Sequence, residues 1–180
     1  TIGIMRVKPV AFESFGVRSM ATYVDADVKV FIDPGAALGP SRYGLPPHRL
    51  ELEALSAAKT RIHEKASDSD ILVVTHYHFD HHDPGETFYS GKTVLAKSVD
   101  FQINRSQNVR GRYFAKQLPD TCELHYADGG EFRYGDLKIR FSQPTPHGPP
   151  GVALGYVLMC RLEHAGQVLV YTCLLYTSDA

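Results

Sequence analysis

Four of the chain's nine histidines stand at positions 76, 78, 81 and 82, inside the stretch VVTHYHFDHHDPG (Val73–Gly85), which also carries Asp80 and Asp83. Imidazole nitrogens and carboxylates are the side-chain groups that hold zinc, iron and manganese. In extended backbone, residues two apart project to the same side, so His76 and His78 can grip one ion together. Asp80 and His81 follow where the chain turns, and can hold a second ion across a shared oxygen. Two divalent ions ~3.5–4 Å apart clamp the attacking and leaving oxygens of a hydrolysis, and a metal-bound water with a pKa near ~7 is a nucleophile at neutral pH. Such a site needs no serine or cysteine nucleophile. The expectation is two divalent metal ions, zinc foremost with iron or manganese as alternatives, and a metal-bound hydroxide attacking an ester, lactone or phosphodiester. Asp80 is the candidate catalytic residue, orienting that hydroxide as well as ligating.

A dinuclear site needs ligands from other loops. His147 stands in SQPTPHGPPG (Ser142–Gly151), straight after a strand-like run, where Pro144, Pro146 and Pro149 stiffen the backbone and aim the imidazole. Its alternative is a histidine on a surface turn. His82 reads as a neighbour that supports the ligands, with a ligand role and a helix-start role also open. Tyr77 and Phe79 alternate with the ligands and are expected to pack behind them. Asp33, in IDPG, either orients a ligand histidine from behind or belongs to a strand-end turn whose glycine permits positive φ. Arg42, Tyr43 and His48 line a substrate mouth or form plain covering structure, and Arg18 in GVRS is a further candidate near the site. Arg105, Arg110, Arg112 and Lys116 form either a phosphate-binding helix face or an ordinary solvated one. There is no phosphate-cradling P-loop, dinucleotide glycine fingerprint or Gly-x-Ser-x-Gly elbow.

The elements that must position these residues follow from periodicity. Val7–Phe12, Ala21–Val24 and Val28–Ile32 read as strands, the last two joined by a tight turn near Asp25–Asp27. A Gly/Pro-rich loop, Gly35–His48, is long enough to be a pocket wall. Pro47 sits where a helix would start, and Leu50, Leu55, Ala58 and Ile62 recur at helical spacing to about Ala66. Ile71–Thr75 is a continuous apolar run, as expected of a strand buried on both faces. Thr93–Ala96 is another strand and Phe101–Leu118 a helix. Cys122–Tyr126, Glu131–Tyr134, Leu137–Gln143, Gly155–Glu163 and Val168–Thr172 then return to β.

At 180 residues the chain is long enough for one domain with a real core and too short to expect two. Its net charge of −1 gives no global case for nucleic acid or an acidic membrane surface, so nucleic acid enters only as a possible phosphodiester substrate through a local patch. Small molecules and phosphodiesters are the expected partners; no membrane partner is expected, and the pattern specifies no oligomeric state. Apolar runs such as Val152–Cys160 fall far short of the roughly 20 residues of a membrane span. The N-terminus lacks the apolar core and cleavage site of a signal peptide. The three cysteines (Cys122, Cys160, Cys173) are scattered and read as neither a disulfide framework nor a zinc ribbon, which makes a reducing cytoplasm the default. Met5 is read as the true start. The ending CLLYTSDA resembles a translated sequencing-adapter read, so residues 173–180 are expected to be a non-native tail.

THYHFDHH after an apolar strand, the earlier IDPG, and a later histidine behind a strand together resemble the metallo-β-lactamase superfamily. More narrowly, AFESFGVRSMATYV, IDPGAALGPSRYGLPPH, THYHFDHH and LGYVLM are similar to an uncharacterised archaeal family of such hydrolases, from Met5 to about Thr172. The resemblance implies an α/β fold, a four-layer αββα sandwich with metals at one edge, here incomplete. Residues 5–172 would be the N-terminal portion of one such domain, lacking the second half of the sandwich. It implies His76, His78 and His147 on the first metal, and Asp80 and His81 on the second. The family pattern adds a bridging aspartate in Thr-Ser-Asp and a late histidine; Asp179 in YTSD superficially offers the first, and the second is absent. The function implied is a metallo-hydrolase for the full-length parent. Two alternatives stand beside it: a non-catalytic or inactive truncated metal-binding fragment, and a di-iron redox enzyme, whose relatives carry Glu where His78 stands.

Overall fold

The computed structural model describes residues 3–39, 43–148 and 153–173; Arg42, Pro149 and Asp179 lie outside the described residues. In chain order the elements are β1 (Arg6–Ser14), β2 (Val17–Asp25), β3 (Lys29–Ile32), β4 (Ala37–Leu38), α1 (Arg49–Ser67), β5 (Ile71–Val74), β6 (Thr93–Ala96), α2 (Arg105–Gln117), β7 (Glu123–Tyr126), β8 (Glu131–Tyr134), β9 (Leu137–Phe141), β10 (Thr145–Pro146), β11 (Tyr156–Val157), β12 (Cys160–His164) and β13 (Gln167–Tyr171). The architecture is mixed α/β. A seven-stranded sheet runs β1-β2-β3-β5-β6-β7, with β4 pairing β2, and a four-stranded sheet runs β13-β12-β9-β8. The β1–β2–β3 pairings are antiparallel, whereas β3, β5, β6 and β7 are parallel.

The layering follows from the two-residue period of β5, all four of whose side chains are buried. Leu72 and Val74 face a cluster with Phe31, Val94 and Ala96, under Ala58 and Ile62 of α1 and Phe114 of α2. Ile71 and Val73 face the opposite cluster, where Val30, Ile32 and Leu95 meet Leu137, Ile139 and Leu162 of the four-stranded sheet. Helices, large sheet and small sheet thus stack in that order. Burial of each such aliphatic side chain stabilises the stack by about 1.5–3 kcal/mol. No helix among the described residues is long and apolar enough to cross a membrane.

Several boundaries differ from the pattern reading. Helix α1 begins one residue after His48, which caps it: the His48 ring accepts from the Leu50 N–H at 3.2 Å and Glu51 accepts from the His48 N–H at 2.6 Å. Leu50 is 47% exposed, so the buried stripe is carried by Ala58, Ile62 and Ala66. Helix α2 starts at Arg105 rather than Phe101 because Asn104 caps it, accepting from the Gln107 N–H at 2.8 Å. The run Gly155–Glu163 is split into β11 and β12 by Leu158 and Met159, where the Leu158 N–H donates to Thr75 O at 3.0 Å.

Candidate metal centre

Strands β3 and β5 are parallel neighbours with Ile32 opposite Val73, so Asp33 and Thr75 emerge side by side at the same carboxyl edge. That edge is where open parallel sheets build their sites. Asp33 adopts φ 52°, the left-handed region that few non-glycine residues enter. Its conformation is over-determined. Its N–H donates to Val73 O at 2.8 Å, and its fully buried carboxylate accepts from the Thr75 N–H (2.8 Å), the Thr75 hydroxyl (2.7 Å), the Tyr171 hydroxyl (2.9 Å) and His81 Nδ1 (2.8 Å). A buried charge is tolerable only when supplied with donors in this way.

The glycine of IDPG has a different purpose from the positive φ expected of it. A Cβ on Gly35 would stand 2.3 Å from His82 N and 2.5 Å from the His81 carbonyl carbon, so the IDPG turn lies directly against the histidine loop. That loop is tightened by the His81 N–H donating to His78 O at 2.9 Å.

The rings of His76, His78 and His147 converge. Their centroids are 4.6 Å (76–78), 4.9 Å (76–147) and 4.9 Å (78–147) apart, and one nitrogen from each lies within 4.8 Å of the others. His147 is delivered by the β10–β11 ribbon, its N–H donating to Gly155 O at 2.8 Å. Both of its ring nitrogens are buried and have no hydrogen-bond partner among the described residues. His76 Nε2 and His78 Nδ1 face each other at 3.0 Å. Burial, reinforced by the neighbouring imidazoles, pushes the His76 pKa well below the ordinary value; the same causes lower that of His147 and bring His78 to about 4, with Arg110 adding to the effect on His78. All three rings are therefore neutral at pH 7, the state in which imidazole ligates. Three neutral imidazoles whose nitrogens converge, those of His147 without a hydrogen-bond partner among the described residues, fit a divalent cation.

Asp80 and His81 also meet, Nε2 to Oδ2 at 3.5 Å. Burial opposes ionisation of both; His81 hydrogen-bonded to Asp80 nevertheless holds that carboxyl at about 2, and the buried Asp33 carboxylate raises the His81 pKa well above its usual value. A second group of ligand atoms within 4.8 Å comprises Asp33, His76, His81 and Cys173; Asp80 belongs to neither group. Asp33 is thus placed against His81, and His76 lies between the two groups.

His78, Asp80 and His147 line a cavity of about 350 Å³ together with Phe79, Arg18 and Arg110. A larger hollow of about 900 Å³, walled by Phe15, Leu45, Pro46 and His48, shares Arg18 but none of the clustered histidines.

Comparison with known proteins agrees with this geometry at the level of fold. The chain is similar to the UPF0282 proteins of archaea. It is 46% identical over 175 residues to one from Metallosphaera sedula, 45% over 171 residues to one from Korarchaeum cryptofilum, and 41% over 182 residues to one from Methanopyrus kandleri. Each alignment covers 93% of this chain and 56%, 57% and 62% of the relative, so the chain spans a little over half the length of the curated relatives it matches. No family model matches. Among solved structures, a possible metal-dependent hydrolase from Veillonella parvula superposes with a TM-score of 0.54 at 13% identity, over 94% of this chain and 62% of that one. Unliganded yeast PDE1 superposes with a TM-score of 0.55 at 11% identity, over 94% and 64%. Both likenesses are of fold.

The remaining candidates fall into place around the cluster. His82 is fully buried outside both ligand groups: its Nδ1–H donates to His78 O at 3.0 Å, its ring stacks on Phe79, and burial lowers its pKa to about 4. Tyr77 packs behind the ligands as expected, but Phe79 does not; it is 48% exposed and lines the cavity. Tyr43 is 95% exposed and lines neither hollow, and His48 lies in the hollow without the ligands. Of the α2 cations, only Arg110 reaches the cavity. Thr75 and Tyr171, which fix Asp33, carried no sequence signal beyond membership of a strand. Cys173, at the start of the segment read as an appended tail, comes within 3.8 Å of His76 Nδ1.

Proposed function

We propose that this chain is the ligand-bearing portion of a metal-dependent hydrolase with a dinuclear, zinc-type centre in a four-layer αββα sandwich, acting on an ester or phosphodiester. The observation that carries the reading is the convergence of His76, His78 and His147, with both His147 ring nitrogens buried and unpartnered. In this reading those three residues hold one ion, and Asp80 and His81 contribute to a second. When bound, the ions supply Lewis acidity and a water acidic enough to attack at neutral pH.

The chain's own residues provide the rest. Asp33 accepts the Nδ1–H of His81, so that Nε2 is the atom that would ligate once an ion displaces its proton. His82 holds the carbonyl of His78 and so fixes the turn between the two halves of the motif. Asp80, ionised at neutral pH, would orient an attacking water as an acceptor.

A one-ion, non-catalytic reading is favoured by a specific observation: one three-histidine group is complete, whereas Asp80 stands in neither ligand group. Metal analysis with a chromogenic phosphodiester assay separates the two. About two zinc ions per chain, with hydrolysis abolished by His78→Ala, supports the hydrolase; one ion and no turnover supports the alternative; no bound zinc refutes both.

A further inference from the structure

We propose that Arg18 and Arg110 are substrate-positioning residues that commit the histidine-lined cavity to anionic substrates, a phosphodiester in preference to a neutral ester or lactone. The inference rests on the hydrolase reading and names its substrate class. Arg18 comes from β2 and Arg110 from α2, yet both line the hollow that holds His78, Asp80 and His147. Among the described residues Arg110 makes no ion pair, its guanidinium lying 5.0 Å from the centre of the Phe79 ring that shares the cavity. Arg112, two residues on and so on another side of the helix, is by contrast tied to Asp100. Among the described residues Arg18 has one ion-pair partner, Glu13 at 3.9 Å, and its side chain is 54% exposed. Asp80, the one carboxylate among the described residues that line the cavity, is turned to His81.

Two guanidiniums in a mostly uncharged pocket are complementary to a ligand whose oxygens carry charge. The planar fork of arginine grips two oxygens of a phosphate or carboxylate at once, and gains little from the single acceptor of a neutral carbonyl. The cavity, about 350 Å³, is at the small end of ligand pockets. Charge and scissile bond must therefore lie close together, which a phosphodiester satisfies because the charge sits on the reacting group itself. Developing charge on those oxygens is then met by donors already in place.

The test is calorimetric and uses the metal-free chain, so it does not depend on turnover. Diphenyl phosphate and the neutral phenyl acetate are titrated into wild type, Arg18→Gln, Arg110→Gln, Arg110→Lys and the double glutamine variant, with melting temperature as the control for folding. Diphenyl phosphate should bind more tightly than phenyl acetate and more weakly as salt rises. Each glutamine variant should lose about 10-fold or more, the worth of a charged hydrogen bond, and Arg110→Lys should keep part of it. Equal binding of both probes, no binding of diphenyl phosphate by wild type, or a double variant that binds it like wild type would overturn the proposal. Zinc stoichiometry is read separately: a chain that takes up no zinc but still binds diphenyl phosphate through the arginines refutes the hydrolase reading and leaves the anion site standing.

Discussion

Replacing Gly35 by alanine tests whether the IDPG turn positions the histidine loop. The added methyl would lie 2.3 Å from His82 N, 2.5 Å from the His81 carbonyl carbon and 2.8 Å from His81 N. Ordinary carbon contacts are about 3.5–4.0 Å, so backbone on one side or the other must retreat by about 1 Å. No flexible side chain is available to yield, and strain of this kind costs about 1–3 kcal/mol, here at the upper end. For a chain of this size that is a fall of about 6–12 °C in melting temperature. The same retreat stretches the His81 Nδ1–Asp33 bond from 2.8 Å beyond hydrogen-bonding range, and loss of such a supporting contact weakens metal affinity by about 10- to 100-fold. Thermal denaturation of the metal-free protein and a zinc competition titration read the two effects. Gly85→Ala is the control: it lies in the same loop, yet its Cβ would meet only Asp83 Oδ1, at an ordinary 3.4 Å. A Gly35→Ala protein that melts and binds zinc like the control would refute the close approach and the role assigned to it.

Asp33→Asn should destabilise by about 3–5 kcal/mol in urea denaturation, because an amide NH₂ would face donors already in place and the His81 imidazolium would lose its buried counter-charge; the His81 pKa, followed by NMR, should fall. The metal-free protein should lose stability as pH drops from about 6.5 to about 4. The unfolded chain's histidines protonate near 6.5, whereas folded His78 and His82 resist until about 4, and for the fully buried His82 that gap is worth about 3 kcal/mol. His81, raised rather than lowered, adds stability that is already complete below 6.5 and cannot offset the loss. A flat melting temperature across that window would refute the burial of His82.

What the sequence made legible was local, and what it hid was contact between distant segments. Two-residue spacing was enough to put His76 and His78 on one side of the chain, and the apolar runs gave Thr93–Ala96 and Glu131–Tyr134 to the residue. Strand periodicity says nothing, however, about which strand lies beside which. The Tyr171 hydroxyl reaches Asp33 across 138 positions, and the Leu158 N–H donates to Thr75 O from within a run the pattern reads as one strand. Gly35 shows the limit most clearly. Its neighbours announce a turn, for which φ freedom is the usual reason, but in the structure Asp33 carries the positive φ and Gly35 is small because two backbones meet there. The same logic separates the arginines. Helical spacing sets Arg110 on a different side of the helix from Arg105 and Arg112, which are seven apart, but does not say which side meets the histidines. Only the docking of α2 over the histidine loop, with Gly111 too close to Tyr77 to carry a Cβ, turns Arg110 alone toward the ligands. The meeting of His76 and His78 was thus written in residue type and spacing, while the cations beside them depend on which distant elements the fold brings to the rim of that cavity.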